Sequence, residues 1–462
     1  MAEIIDFFHT NDMHSHFETW PRIRRYLKQQ QDGFRAKGDT VYTVDIGDAM
    51  DRMHPLTEAT NGQINTQLLN QIGYDAVTIG NNEGIGNSKR QLEQLYQKAN
   101  FPVVLANLKD KKTQQQPKWA QPYLIKVTNE GTRVAFVGMT APYISTYRPN
   151  GWDPELIQNA MPKILAALAG KYDVLVLLSH LGITMDKRIA AKYPEFDVIM
   201  GGHTHHLLPT GLLIGKTMVA AAGRFGDHVG HVQLTLNKEH QVQQSVASVV
   251  TTTELPSEVD DEVEISGYLT AGHEQLASHV ITQLPHALTS KPIGHSTLMD
   301  VSLAAVARAA KTEVALLNTG VFLGDFAAGP VTADDLHTVL PHAMHLLRVT
   351  LRGTDVWRLI MEIEKNRQFL QHYQLHGLGF RGKVFGDMVY KGITVNSLSR
   401  TVYWLGKPLD PEATYTLAGM DTYLYFQFFP TISIVGDSEV LFPGVLRNAV
   451  ASYLKNGKEE EK

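Results

Sequence analysis

Histidine, aspartate and asparagine side chains are concentrated in five short segments of the first half of this chain. The segments are residues 9–16, 45–48, 80–84, 179–182 and 201–206. Imidazole nitrogens together with carboxylate and amide oxygens suit Zn, Mn, Fe or Co better than Ca or Mg alone. In Asp12-x-His14 and His203-x-His205, an extended backbone would point both side chains of a pair to the same face. The residue types therefore indicate binding of transition-metal ions.

Each of these segments follows a short apolar run that predicts a strand. The strand candidates are residues 4–8, 41–46, 76–79, 103–105, 134–137, 174–178, 198–200, 218–221 and 229–236. Helical patterns at residues 21–31, 65–72, 88–99 and 161–169 lie between several of them, which predicts a layered α/β domain. Because open α/β sheets place ligands beyond the carboxyl ends of their strands, the segments could converge on one site. Their ligands are too many for one tetrahedral ion, but two ions sharing a carboxylate would use them all.

Composition narrows the class of protein. The chain has 462 residues, more than one hydrophobic core usually serves, which predicts two domains. A net charge of −5 argues against a general nucleic-acid-binding protein, but not against a nucleotide substrate, because bound cations can supply positive charge locally. The chain contains no cysteine, which excludes disulfides, thiolate metal sites and cysteine nucleophiles.

The beginning of the chain bears on its location. After Met1, Ala2 and Glu3 the sequence enters a strand-like run, without the basic start, longer apolar core and cleavage site of a secretory leader. No apolar stretch is long enough to span a bilayer. The sequence therefore predicts a cytoplasmic protein with no membrane partner, and it leaves the oligomeric state open.

The sequence changes character near Thr252. Residues 254–264 are acidic and include Pro256, and residues 265–280 have a helical apolar spacing. We interpret residues 252–284 as a linker helix between a first domain at residues 1–251 and a second mixed α/β domain at residues 285–462. Residues 331–340 and 354–363 are helical candidates in that second domain.

With these motifs the sequence resembles the calcineurin-like metallophosphoesterases, and specifically the two-domain 5′-nucleotidase family. The shared motifs are His-Thr-Asn-Asp-x-His at 9–14, Gly-Asp at 47–48, Gly-Asn-x-Glu at 80–83, a lone His180 and Gly-Gly-His-Thr-His at 201–205. The second half matches more loosely, through residues 318–320 and 329–349. The resemblance implies a four-layered α/β/β/α metallophosphoesterase sandwich at residues 1–251 and a smaller α/β C-terminal substrate domain at residues 285–462.

The resemblance also implies two divalent metal ions (Mn, Zn, Fe or Co) and a set of ligands for each. One ion would be held by Asp12, His14, Asp48 and His205. The other would be held by Asn81, His180, His203 and Asp48, which would bridge the two. Such a pair of ions can neutralise a phosphate and hold a metal-bound water for in-line attack at phosphorus. The predicted function is a phosphoric ester hydrolase acting on a small nucleotide, of the 5′-nucleotidase, 2′,3′-cyclic nucleotide phosphodiesterase or nucleotide-sugar hydrolase type.

The third motif departs from the family pattern, which is Gly-Asn-His rather than Gly80-Asn81-Asn82. Asn82 can donate a hydrogen bond but cannot transfer a proton near neutral pH, and loss of a general acid could lower the rate about 10²–10⁴-fold. His16 and His54 could supply the acid instead. Alternatively, the substrate has a better leaving group, or hydrolysis is slow. A competing hypothesis is a catalytically weak nucleotide- or metal-binding homologue.

The second departure lies in the C-terminal half. The family's Asn-Ser-Gly-Gly-x-Arg corresponds to residues 318–323, where Leu323 stands in place of the arginine. We predict substrate contacts for the following residues: Asn318, Gly320, Arg381 as a replacement cation, and Phe380 and Tyr425 as aromatics that stack a base. Aromatic residues in the run 423–429 are otherwise typical of core packing. Because these motifs are altered, a hydrolase of non-nucleotide phosphoesters stays an alternative.

Overall fold

The structure, a computed structural model, describes residues 2–377 and 379–456. The chain divides into two compact units, residues 1–272 and residues 273–462. The division falls inside the helix Asp261–Ala277, within the segment 252–284 that the sequence analysis interprets as a linker. That helix begins earlier than the apolar pattern suggests. Its first turn carries Asp261 and Glu264, which pair with Arg25 and Arg24 of the first unit.

The first unit alternates strands and helices along most of its length. Its strands are β1 (Glu3–Thr10), β2 (Thr40–Asp45), β3 (Ala76–Val77), β4 (Leu108–Asp110), β5 (Tyr123–Val127), β6 (Arg133–Thr140), β7 (Trp152–Pro154), β8 (Val174–His180), β9 (Val198–Gly201), β10 (Leu212–Ile214), β11 (Thr217–Ala220), β12 (His228–Leu236) and β13 (Val242–Thr251). Its helices are α1 (Trp20–Ala36), α2 (Pro55–Thr60), α3 (Gln63–Asn70), α4 (Asn81–Gly84), α5 (Lys89–Leu95), α6 (Ile144–Tyr147), α7 (Ile157–Leu168), α8 (Ile183–Lys192) and α9 (Asp261–Ala277), which crosses the division.

Two large sheets form the centre of this unit. Their strand orders are β13-β12-β1-β2-β3 and β10-β11-β9-β8-β6-β5. Strands β1, β2 and β3 run parallel, as do β6, β8, β9 and β11. Strand β12 pairs antiparallel with β1 and β13, and β5 and β10 are antiparallel edge strands of the second sheet. Parallel pairing brings the carboxyl ends of neighbouring strands to one edge of each sheet, where the predicted ligand segments begin.

Alternating side chains sort these elements into layers. On β8, Val176 belongs to a core shared with the other sheet, in which the rings of Phe7 and Phe136 are 6.1 Å apart. Its neighbours Leu175 and Leu177 point to the opposite face and pack with α7 and α8. A third core joins the outer face of the first sheet to α1, α3 and α5. The four-layered α/β/β/α sandwich is therefore confirmed.

One predicted strand of this unit is wrong. Val103 and Val104 form isolated bridges with Val77 and Gln121 instead of an extended strand at residues 103–105. The hydrogen bonds from Val77 N to Pro102 O and from Val104 N to Val77 O still fix this buried segment beside β3. An apolar run indicates that a segment is buried. A paired strand and a buried extended segment without strand pairing both fit that pattern.

The second unit mixes strands and helices around a core of its own. Its strands are β14 (Val280–Leu284), β15 (Ala315–Asn318), β16 (Gly329–Thr332), β17 (His345–Arg352), β18 (Met388–Lys391), β19 (Ile393–Asn396), β20 (Thr401–Trp404), β21 (Lys407–Pro408), β22 (Thr414–Met420) and β23 (Asp437–Val445). Its helices are α10 (Thr297–Ala309), α11 (Ala333–Val339), α12 (Gly353–Leu370), α13 (Thr431–Val435) and α14 (Leu446–Asn456).

The main sheet of the second unit has the order β18-β15-β22-β17-β23. One smaller sheet pairs β14 with β16, and another has the order β19-β20-β21. The helix predicted at residues 331–340 begins later, because Val331 and Thr332 end β16. The Thr332 side chain then caps α11 by accepting a hydrogen bond from Asp335 N at 3.2 Å. None of the helices in the described part of the chain combines the length and hydropathy that crossing a bilayer requires.

Candidate metal centre

The seven predicted ligands lie at or just beyond the carboxyl ends of parallel strands. They are Asp12 and His14 after β1, Asp48 after β2, Asn81 at the start of α4, His180 at the end of β8, and His203 and His205 after β9. Contacts of 2.9–3.8 Å link them into one continuous set. The structure thus brings together all the residues that the sequence analysis assigned to metal ions, and their role as ligands stays a prediction.

The backbone at these positions is unusual. Five candidate ligands have positive φ: Asp12 at 50°, His14 at 49°, Asp48 at 51°, His203 at 75° and His205 at 56°. Left-handed backbone costs a non-glycine residue about 1–2 kcal/mol. It persists only where surrounding contacts hold it, and such strain is concentrated at functional sites. The local sequence alone does not favour this left-handed backbone, so tertiary contacts around the loops must stabilise it.

Hydrogen bonds between loops supply those contacts. Asp12 N donates to Gly47 O at 3.0 Å, and His14 N donates to Asp48 O at 2.9 Å, so the loops after β1 and β2 are joined. Gly80 permits the close approach of the third loop, because a Cβ on Gly80 would lie 2.0 Å from Oδ1 of Asp48.

Glu83 anchors the Asp48 loop, a role that the sequence analysis did not assign. Its buried carboxylate accepts hydrogen bonds from the backbone N–H groups of Asp48 at 2.9 Å, Gly80 at 2.8 Å and Met50 at 3.1 Å. An acidic residue just after the Gly-Asn pair was visible in the motif. Nothing in the sequence showed that it binds a loop 35 positions earlier.

The ligand atoms form two groups. Asp12, His14 and His205 make one, and Asp12, Asp48 and His180 make the other, with the ligand atoms of each group within 4.8 Å of one another. In the first group, Nε2 of His14 lies 3.0 Å from Nε2 of His205 and 3.8 Å from Oδ1 of Asp12. Nitrogen and oxygen atoms this close, directed at one another, match the donor set that a divalent cation requires.

His180 gives the sharpest test of fit to a metal. It is fully buried, and its Nδ1 donates to Ile46 O at 2.8 Å. Its Nε2 lies 3.3 Å from Oδ2 of Asp48 and makes no hydrogen bond within the described chain. A metal-binding histidine characteristically donates one ring N–H to a backbone carbonyl and keeps the other nitrogen for the ion. His180 therefore fits the predicted role.

The electrostatics of this group agree with that fit. Burial by itself lowers the pKa of His180, but Asp48, Asp12 and Glu83 raise it above its ordinary value. Burial would raise the pKa of Asp48, but His180, His14 and the backbone N–H of Asn82 lower it overall. The shift of His180 arises because carboxylates surround it in a buried place, where a divalent cation would be stabilised, and the shift of Asp48 arises from the histidines and the N–H donor around it.

Asn81 and His203 complete the set. Nδ1 of His203 lies 2.9 Å from Oδ1 of Asn81, and its Nε2 lies 2.9 Å from the hydroxyl of Tyr143. Its backbone N–H donates to both carboxylate oxygens of Asp12 at 3.0 Å. The sequence analysis missed Tyr143, which follows β6. The only available signal was its position after the end of a predicted strand.

Asn82, which stands where the family resemblance implies a histidine, contacts two candidate ligands. Its side-chain amide lies 2.7 Å from Nδ1 of His14, and its backbone N–H donates to Oδ1 of Asp48 at 2.7 Å. The contacting atom is the amide nitrogen Nδ2, and with the amide turned by 180° its oxygen would accept Nδ1–H and leave Nε2 of His14 for a metal. Asn82 is thus placed to orient a ligand.

The two histidines considered as alternative acids occupy different surroundings. The His16 ring stacks on Phe225 at 3.9 Å, and its Nδ1 lies 3.5 Å from Oε2 of Glu18. His54 precedes α2, where its Nδ1 accepts a hydrogen bond from Leu56 N at 3.2 Å. The ring of His14 also contacts Phe225, with ring centroids 5.8 Å apart. His54 has a capping role that accounts for its position.

The predicted substrate residues of the second unit are mostly built into its interior. The Asn318 amide donates to Phe385 O at 2.6 Å and accepts from the hydroxyl of Tyr423 at 2.8 Å. A Cβ on Gly320 would lie 1.9 Å from Val384 O, so packing alone requires this glycine. These contacts explain both residues without a ligand.

The predicted aromatics differ in exposure. Phe380 is 3% exposed and stacks on His342 with ring centroids 5.0 Å apart. Tyr425 is 50% exposed. The Arg381 guanidinium donates to Phe380 O at 3.1 Å. In the run 423–429, Tyr423, Phe426 and Phe429 are buried, as the alternative interpretation of that run expects.

Two inner sheets covered by helices, with candidate histidine and carboxylate ligands at the strand ends, match the arrangement that the resemblance to metallophosphoesterases implies. Residues 5–207 match the calcineurin-like phosphoesterase family, and residues 278–426 match the 5′-nucleotidase C-terminal domain. The chain belongs to the calcineurin-like metallophosphoesterases, in their two-domain 5′-nucleotidase family, and it is a phosphoester hydrolase. Members of this family use divalent metals.

Individual relatives agree with this family. The chain is 34% identical to the uncharacterized metallophosphoesterase YunD of Bacillus subtilis (strain 168) over 460 residues, which cover 98% of this chain and 99% of the relative. It is 26% identical to the trifunctional nucleotide phosphoesterase protein YfkN of the same organism, covering 75% of this chain but only 27% of the relative. It is 25% identical to endonuclease YhcR, with 94% and 37% covered.

Solved structures share the fold. A putative 5′-nucleotidase from Staphylococcus aureus superposes with a TM-score of 0.68 at 15% identity, covering 98% of this chain and 97% of that one. A 5′-nucleotidase precursor from Thermus thermophilus superposes with a TM-score of 0.58 at 21% identity, with the same coverage. At these identities the likeness establishes the architecture of the chain.

Proposed function

We propose that this chain is a phosphoric ester hydrolase that requires two divalent metal ions and acts on a small nucleotide or a related ester. The activity would be of the 5′-nucleotidase, 2′,3′-cyclic nucleotide phosphodiesterase or nucleotide-sugar hydrolase type. The observation that carries the proposal is the pair of ligand groups whose atoms lie within 4.8 Å of one another. Oδ2 of Asp48 lies 3.8 Å from Nε2 of His14 and 3.3 Å from Nε2 of His180, which supports Asp48 as the bridging ligand.

Two ions held there would neutralise phosphate oxygens and lower the pKa of a bound water near phosphorus. The contribution of the chain is to fix the ligands. Ile46 O holds His180 in one tautomer, Glu83 holds the Asp48 loop, and the His203 backbone N–H binds the Asp12 carboxylate. Ligands fixed in this way lose little freedom on binding, which supports a preorganised centre.

The first experiment measures metal content per chain by elemental analysis, together with hydrolysis of AMP and bis-p-nitrophenyl phosphate in added manganese. We expect about two ions per chain and turnover of at least the activated diester. A His180→Gln variant serves as the ligand-loss control and should lose metal. Metal-loaded protein without turnover of mononucleotides, cyclic nucleotides or nucleotide sugars would contradict the proposal.

A second candidate is a weak hydrolase that mainly binds its ligand, and the contact between Asn82 and His14 favours it. An amide at this position orients a ligand but cannot protonate a leaving oxygen. Asn82→His should raise kcat for AMP about 10²-fold or more, because a nucleoside alkoxide is a poor leaving group. Turnover of bis-p-nitrophenyl phosphate, whose leaving group needs no acid, should change little.

Metal content of the Asn82→His variant is the control, since the substitution could disturb His14. An unchanged AMP rate at full metal content would mean that leaving-group protonation does not limit the reaction. A substrate panel addresses the alternative of non-nucleotide esters, which the buried Phe380 and the internally bonded Asn318 favour. A preference for sugar phosphates over nucleotides would support that alternative.

A further inference from the structure

An arginine lies at the edge of the candidate metal centre. Arg224 is in the loop between β11 and β12, and its Nη1 lies 3.5 Å from Nδ1 of His205. Its side chain is exposed, and within residues 2–377 and 379–456 no carboxylate oxygen lies within 4.0 Å of its guanidinium. An arginine without a carboxylate partner beside a cluster of metal ligands has its charge available for an anion.

The surrounding loop fixes the backbone on both sides of Arg224. Before it, Asn11 Nδ2 donates to Gly223 O at 2.7 Å, and Ala222 N donates to Asn11 Oδ1 at 3.1 Å. After it, Phe225 N donates to Asp12 O at 2.7 Å. Phe225 has a φ of 61°, a strained value for a non-glycine residue. The loop is therefore tied to the Asn11–Asp12 segment that supplies a candidate ligand.

An aromatic ring fixes the side chain as well. The guanidinium carbon of Arg224 lies 4.5 Å from the ring centroid of Phe225, and the same ring stacks on His16 at 3.9 Å. Stacking on an aromatic face restrains a guanidinium. Its N–H groups lie in the guanidinium plane and stay available to donate hydrogen bonds. Less conformational entropy is then lost when an anion binds.

Arg224 faces the ring nitrogen of His205 that is not directed at Asp12. Nε2 of His205 is the atom that faces Asp12, at 3.5 Å from Oδ1, and it would be the metal ligand. A neutral imidazole that gives Nε2 to a cation carries its proton on Nδ1. With that arrangement Nδ1 would make no hydrogen bond with Arg224, and the exposed guanidinium would have its donors available to water or an anion.

We propose that Arg224 binds a phosphate oxygen of the substrate and makes the site favour dianionic phosphate monoesters over monoanionic diesters. This inference rests on the proposed function. Arginine matches phosphate geometry through paired N–H donors, which lysine cannot reproduce.

The test compares the wild type with Arg224→Gln and Arg224→Lys, and with Arg35→Gln as a matched control on the exposed face of α1. Calorimetric titration with inorganic phosphate in manganese buffer measures binding without turnover. We expect Arg224→Gln to raise the Kd about 10-fold, Arg224→Lys to raise it less, and Arg35→Gln to leave it unchanged. In kinetics, Arg224→Gln should raise KM for AMP about 10-fold and KM for bis-p-nitrophenyl phosphate less than about twofold.

A phosphate Kd for Arg224→Gln within about twofold of the wild type would overturn the inference, even if metal content and turnover support the proposed function. An equal rise in KM for both esters would overturn the charge preference. A third outcome separates the two proposals. If Arg224→Gln loses phosphate affinity while the wild type binds no metal and shows no turnover, Arg224 is supported as a phosphate-binding residue and the proposed function is contradicted.

Discussion

At the scale of single residues, Glu83 is the group on which the Asp48 loop depends most directly. Its two carboxylate oxygens accept three backbone N–H groups, and it is 2% exposed. In Glu83→Gln, one oxygen becomes an NH₂ group that cannot accept, so at least one buried N–H loses its partner. We expect the free energy of unfolding to fall by about 1–3 kcal/mol and metal affinity to weaken.

Urea unfolding and competition for metal with a chelator measure the two effects. Glu93→Gln on the exposed side of α5 is the control, and both its stability and its metal affinity should match the wild type. If Glu83→Gln lost stability but kept its metal affinity, the carboxylate would serve the fold and not the ligand geometry.

At the scale of elements, the site depends on how closely the loop before α4 approaches the loop after β2. Gly80 has ordinary extended backbone, so alanine there would not be strained by its own φ and ψ. Its Cβ would nevertheless lie 2.0 Å from Oδ1 and 2.6 Å from the backbone nitrogen of Asp48. Gly80→Ala must therefore displace Asp48, the predicted bridging ligand.

We expect Gly80→Ala to reduce bound metal below about one ion per chain and to lower the melting temperature. Gly33→Ala is the matched control, because nothing lies within 4 Å of a Cβ added in this helical position. That change should be neutral or stabilising by up to about 1 kcal/mol. Full metal content in Gly80→Ala would mean that the loop yields without moving the ligand.

At the scale of the whole molecule, the two units have separate cores, and a buried histidine makes the second one sensitive to acid. His342 donates from Nε2 to Val321 O at 2.6 Å and accepts at Nδ1 from Arg381 N at 2.9 Å. Burial is the main reason that its pKa is lowered to about 4, and the charges of Arg381 and Arg447 also lower it, whereas the bond to Val321 raises it. A proton on Nδ1 would oppose the Arg381 N–H.

The sign of the pH dependence follows from that pKa. Between about pH 6.5 and 4 the unfolded chain binds a proton at His342 that the folded chain does not, so stability rises with pH. The contribution is complete above pH 6.5, and about 3 kcal/mol is lost as the pH falls to 4. Urea unfolding at several pH values should show a shallower slope for His342→Gln, which keeps a donor and an acceptor without titrating.

His286→Gln, at an exposed position before α10, is the control and should keep the wild-type slope. Parallel slopes for the wild type and His342→Gln would show that other groups govern the acid sensitivity.

The sequence patterns by themselves predict a layered α/β first unit, because short apolar runs between helical segments indicate buried strands, whereas the four-layered arrangement follows from the family resemblance. It also predicts that the candidate ligand segments converge, since each follows a strand and ligands of α/β sheets lie beyond the carboxyl ends of the strands. The prediction was wrong for residues 103–105, because an apolar run records burial without recording strand pairing.

Only the tertiary structure decided what each side chain at the centre does. The contacts of Glu83 with Asp48, of Tyr143 with His203 and of Arg224 with His205 join loops whose left-handed backbone no local propensity favours. The burial of Phe380 likewise depends on packing against His342, 38 positions earlier. Sequence patterns indicate which faces of helices and strands are buried and where these elements end. Contacts between loops form only in the complete fold, which also holds the loop backbone in its strained conformation.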